Sequence, residues 1–116
     1  MSVTKQDCQI VLDLLNEHFN ATVSMQIKHI RSGRANPDLK RFTVPFWALD
    51  MGETYAFYYV IHEFTHAWFN DWGHDSQFKH HEDSLLDLFG LKIDRAKIFP
   101  KRLYLNGECQ YKKANK

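Results

Sequence analysis

The chain has almost no cysteine. Cys8 and Cys109 are the only two among 116 residues, they lie far apart, and they form no Cys-x-x-Cys pair. A disulfide framework and a cysteine-built zinc knuckle are therefore not expected, and buried thiols in a reducing compartment are. Net charge is nearly absent as well. Fifteen Lys and Arg face 14 Asp and Glu, leaving +1 with neutral histidines. No global field exists to draw the chain to nucleic acid or to an anionic membrane. The first residues, Met-Ser-Val-Thr-Lys-Gln-Asp, lack the apolar core of a signal peptide. No apolar run approaches the length of a membrane span. The expectation is a cytoplasmic protein, in the host cytoplasm if it is viral. Repeats, low-complexity tracts and linkers are missing too. One domain over residues 1–116 is expected, with a frayed basic tail at 112–116. What is present is 44% hydrophobic and 15% aromatic content, which argues against disorder.

Periodicity supplies the elements. Thr4 to Phe19 reads as a helix capped by Thr4, with Asp7 in its first turn and Ile10, Val11, Leu14, Leu15 and Phe19 on one face. Val23 to Ile30 alternates as a half-buried strand, and 31–37 reads as a loop. Phe42, Val44 and Phe46 alternate in a second strand, which Pro45 predicts to be at a sheet edge. A helix apolar over much of its circumference runs from Glu53 to about Asp71. Asp75 or Ser76 caps a further helix ending near Phe89 and Gly90. Asn106-Gly107 between apolar runs predicts a hairpin. The fold class is α+β, with a small, mostly antiparallel sheet packed on the buried helix and its flanking helices.

The buried helix carries His62-Glu63-Phe64-Thr65-His66, an H-E-x-x-H pattern. Residues four apart share a helix face, so both imidazoles can reach one metal ion. Glu63 is offset from His62 by about 100° on the helical wheel. It therefore sits beside the ion as a general base for water rather than as a ligand. Two histidines and one further ligand leave a tetrahedral zinc ion its fourth position for water, the mark of a catalytic site. Charged groups are otherwise not expected at such depth.

Three residues can supply the third ligand: His74 at the turn before the next helix, and His81 and Glu82 within it. The wheel sets Glu82 on the apolar stripe with Leu85 and Phe89, His81 at its border, and Lys79, His80, Asp83 and Asp87 outside. Glu82 can be the ligand itself. Its other role is to accept the free N–H of a ligand histidine.

The segment Tyr58-Tyr59-Val60-Ile61-His62-Glu63-Phe64-Thr65-His66-Ala67, followed by His74-x-x-x-Phe78, resembles the SprT-like and WLM-like minimal zinc metallopeptidases. The strand Phe42 to Ala48 is similar to the one those proteins set beside their cleft. The resemblance covers roughly residues 40–90, with Phe64 in place of the usual leucine and Asp75 in place of a glycine. It implies a zincin-like fold of the compact bacterial or phage type, one Zn²⁺ held by His62, His66 and His74, and peptide hydrolysis with Glu63 as base. Glu82 remains the alternative third ligand. The zinc ribbon of many SprT relatives is missing, and with it the main reason to expect DNA binding.

The partner expected is a protein or peptide substrate, with no membrane; nucleic acid is not the expected partner but stays open. Two other readings stand beside it: a non-catalytic zinc-binding interaction module on the same scaffold, and a DNA-associated peptidase. The edge strand at Phe42 to Trp47 could pair with an extended substrate or be plain core. Arg102, Tyr104 and Tyr111 could donate to a transition state, although a structural role is simpler. Arg31 and Arg34 around Gly33 could contact an anion such as phosphate, although solvated loop charges are the simpler reading. Trp47, Trp68 and Trp72 read as core and rim packing.

Overall fold

A computed structural model of the protein describes residues 3–93. Helix α1 spans Lys5–Phe19. The Thr4 hydroxyl accepts the Asp7 amide at 3.1 Å, and the Asp7 carboxylate accepts the Thr4 amide at 3.0 Å. This reciprocal box satisfies two donors that a helix start leaves open. The buried stripe is Cys8, Val11, Leu12 and Leu15, which corrects the expected face. Ile10 and Leu14 are about half exposed. The i, i+3, i+4, i+7 stripe that meets the rest of the fold starts at Cys8, so these two point away from it. Burial, with the Asp7 charge adding, pushes the Cys8 thiol up to about 11. Phe19 closes the helix end against Phe64, Trp68 and Phe69.

Strands β1 (Ser24–Lys28), β2 (Arg34–Asn36) and β3 (Arg41–Pro45) form one sheet in the order β1-β3-β2. Two expectations are corrected here. The segment 31–37 is not wholly loop, because it contains β2, too short for alternation to reveal. The strand at Phe42 is not an edge. β1 runs parallel along one side of β3, from Ser24↔Arg41 to Lys28↔Pro45, and β2 antiparallel along the other, from Arg34↔Thr43 to Asn36↔Arg41. Pro45 is tolerated because it is the last residue of β3 and lies beyond the reach of β2, where no antiparallel neighbour asks for its missing N–H. The sheet is thus mixed, with the parallel ladder the longer. Phe46 and Trp47 leave the strand and begin a 3-10 helix, Phe46–Met51.

Helix α2 spans Glu53–Phe69, and every residue from Tyr58 to Ala67 is buried. It packs against α1, β2, β3 and α3 (Ser76–Leu88), which accounts for its apolar circumference. Asp75 caps α3 by accepting the Phe78 amide at 2.9 Å. The hairpin expected around Asn106-Gly107, with Arg102, Tyr104, Cys109 and Tyr111, lies outside the described residues. No helix among the described residues is long and apolar enough to cross a membrane.

The corrected α1 face has a measurable consequence. Leu12 is 1% exposed and Leu14 is 50% exposed. Leu12→Ala should lower unfolding stability by about 2–5 kcal/mol, and Leu14→Ala by no more than about 0.5 kcal/mol, in paired urea denaturations.

Candidate metal centre

His62 and His66 lie one turn apart on α2, and a different kind of partner holds each ring. Glu82, fully buried on α3, brings Oε2 to 2.6 Å from His62 Nδ1. A carboxylate accepts, so the His62 proton resides on Nδ1 and Nε2 keeps its lone pair. His66 Nδ1 meets the backbone carbonyl of Asp71. A carbonyl can only accept, which sets the same tautomer for His66. Burial lowers the His66 pKa, with the Asp71 carbonyl opposing, and the neutral form is the one that binds metal.

The turn between α2 and α3 brings in the third histidine. Asn70 closes α2 in the left-handed conformation, with φ of 54° and its amide on the His66 carbonyl. That reversal returns the Asp71 carbonyl to the His66 ring. The Asp71 side chain accepts the Gly73 amide at 3.0 Å, and two residues on Asp75 starts α3. His74 is held between these two anchors. Phe78 forms the floor: its ring centroid is 5.1, 4.4 and 5.1 Å from those of His62, His66 and His74. Asp75, which stands where the resembling proteins have glycine, serves here as the helix cap.

The three rings converge on one point. His74 Nε2 lies 3.2 Å from His62 Nε2 and 3.2 Å from His66 Nε2. Nitrogens about 2.0–2.1 Å from a tetrahedral zinc ion lie about 3.3 Å apart. The donor set, its spacing and its tautomers fit a metal ion, and these three residues could hold one.

Glu63 is not among these donors. It lines the same cleft, of about 390 Å³, with Tyr59, Trp72 and residues 32–35. Burial pushes its carboxyl up to about 7, with His62 opposing and Glu82 adding. The loop before β2 packs directly on it. Trp47 Nε1 donates to the Arg31 carbonyl at 3.1 Å, and the Gly33 amide donates to the Tyr59 hydroxyl at 2.7 Å. A Cβ on residue 33 would lie 2.5 Å from Tyr59 Cε1 and 2.7 Å from Glu63 Oε2, so only glycine fits.

Of the residues singled out in the sequence, the fold brings His62, His66 and His74 together and sets Glu63 in the same cleft. Glu82 lies behind His62 rather than at the point where the nitrogens converge. His81 stacks on Phe69 at 3.9 Å, and His80 is exposed. Sequence reasoning misses Gly33 as a wall of the cleft and Phe78 as the floor of the histidines. Trp72, 67% exposed at the cleft, is not core.

The site thus sits in an α+β fold, with a mixed sheet against a long buried helix that carries the H-E-x-x-H pattern. The fold is similar to the crystal structure of the metallopeptidase zymogen of Pyrococcus abyssi abylysin, with a TM-score of 0.62 at 20% identity, over 87% of this chain and 97% of that one. No protein-family model matches the chain, and no curated protein sequence does.

The raised Glu63 pKa links to stability. The unfolded chain releases this proton near 4.5 and the folded protein near 7, so the native state loses stability as pH rises through that window. Glu63→Gln has no proton to lose. In metal-free protein it should gain up to roughly 3 kcal/mol over wild type between pH 5 and pH 8, measured by denaturant unfolding at both values.

Proposed function

We propose that the protein is a zinc-dependent metallopeptidase. His62, His66 and His74 hold the ion and Glu63 is the general base. The convergence of three imidazole Nε2 atoms beside a buried carboxylate in an open cleft carries this reading. Zinc, when bound there, would acidify a water molecule and polarise a peptide carbonyl. Glu63 takes the proton from water and delivers it to the leaving amine. Glu82 and the Asp71 carbonyl keep the two helix imidazoles aimed, and Gly33 shields one side of the Glu63 carboxylate. Imidazole donors also accept other divalent metals, and zinc is favoured by the three-nitrogen, near-tetrahedral spacing.

The H-E-F-T-H-A core and the His74-x-x-x-Phe78 segment support an SprT-like subtype. The expected substrate edge at Phe42 to Trp47 is paired on both sides at Phe42 and Thr43, pairs with β1 at Val44 and Pro45, and turns into the 3-10 helix at Phe46, so it does not favour an added peptide. The outer side of β2, which pairs with no strand among the described residues, borders the cleft instead, and a peptide added there would pass the histidines.

Purified protein should contain one equivalent of zinc and cleave an unstructured protein substrate. Glu63→Gln should keep the zinc and lose at least about 100-fold in cleavage rate. Glu82→Gln, which removes no ligand, should weaken zinc affinity by about 10–100-fold in a chelator competition. Substoichiometric zinc, together with an unchanged melting temperature in His62→Ala, would sink the site. Full zinc without cleavage in the wild type would mark the non-catalytic scaffold instead.

A further inference from the structure

The outer face of the sheet carries charge of one sign. Strand register sets Gln26, Lys28, Arg34, Asn36, Arg41 and Thr43 on one face, opposite the buried Phe42 and Val44. Lys28, Arg34 and Arg41 are exposed, no acidic residue shares their face, and no carboxylate among the described residues forms an ion pair with them. Arg34 stands where this face meets the cleft. It is the first residue of β2, whose outer edge pairs with no strand among the described residues, and it lines the cleft beside the histidines.

We propose that the cleft selects extended acidic peptides, with Arg34 as the specificity-determining residue and Arg41 supporting it. This rests on the peptidase reading. A peptide paired with the open edge of β2 sends alternate side chains to the two faces of the enlarged sheet. Those on the outer face come opposite Arg34, with Cβ atoms about 4.5–5.5 Å apart, where opposite charges attract and like charges repel. Strands are spaced about 4.8 Å apart, so Arg41 stands about 10 Å from the peptide and Lys28 about 15 Å. The screening length is about 10 Å at 0.1 M salt, so Arg34 dominates, Arg41 adds to it, and Lys28 counts little. A nucleic-acid duplex could meet the same basic face, but it has no main-chain amides to pair with β2. Charges beside an edge strand also guard against unwanted pairing, and that role alone predicts no preference among peptides.

The test uses zinc-loaded protein and three ten-residue peptides, alternating Glu-Ala, Gln-Ala and Lys-Ala. At low salt, kcat/KM for the Glu peptide should exceed that for the Gln peptide by about three- to fivefold, with the Lys peptide lowest. The Glu-to-Gln ratio should fall toward one in Arg34→Gln and with added salt. In Arg34→Glu the order should invert in favour of the Lys peptide. Circular dichroism and zinc content check that each variant is folded, and the salt series on wild type tests the idea without any variant. Equal cleavage of the three peptides overturns the proposal and leaves the peptidase reading standing. Cleavage of none removes both. Salt-sensitive, Arg34-dependent retention on a DNA duplex, without a peptide preference, overturns it in favour of nucleic acid.

Discussion

The site depends on a carboxylate that ought not to be buried. Glu82 is fully enclosed on the apolar stripe of α3, where an unpaired charge would cost several kcal/mol. Its contact with His62 Nδ1 offsets that cost and does two further things. It ties α3 to α2 through a directional bond rather than apolar contact alone. It also assigns the His62 proton to Nδ1, so that the Nε2 lone pair faces the point where the other two histidines meet. If the two helices slid past each other, the bond would break, the carboxylate would stand unpaired and the imidazole would lose its aim together. Helix packing and the convergence of the three histidines are therefore one constraint.

The other two histidines are held by different means. His66 depends on the backbone, through a left-handed Asn70 that brings the Asp71 carbonyl back to its ring. His74 depends on the turn anchored by Asp71 and Asp75, and all three rings rest on Phe78. Across the cleft, Gly33 leaves just enough space for the Glu63 carboxylate, and Tyr59 fastens that loop to the helix bearing the motif. Because β3 lies inside the sheet, the outer strands among the described residues are β1 and β2, and β2 is the one that this loop feeds.

Much of this was legible in the chain. The cap at Thr4, the apolar circumference of α2 and a cap at Asp75 or Ser76 are local signals, and the fold shows Thr4 and Asp75 in those places. Elements that depend on distant partners were misread. Pro45 suggests an edge strand because proline lacks a donor, but only the register of β2 shows that no neighbour needs that donor. The face of α1 was misplaced because Ile10 and Leu14 are as apolar as Leu12, and only packing decides which of them is covered. β2 has three residues, too few for alternation to register against a loop of Ser, Gly and Asn.

The spacing of His62, Glu63 and His66 was determined by sequence alone, since a helix puts residues four apart on one face whatever surrounds it. The choice between His74 and Glu82 was not, because both follow the motif at plausible distances and the wheel favours Glu82 for burial. Tertiary structure is what separates the two. The α2–α3 turn brings His74 Nε2 to 3.2 Å from both helix histidines, and the packing of α3 sets the Glu82 carboxylate against His62 Nδ1, on the other side of that ring.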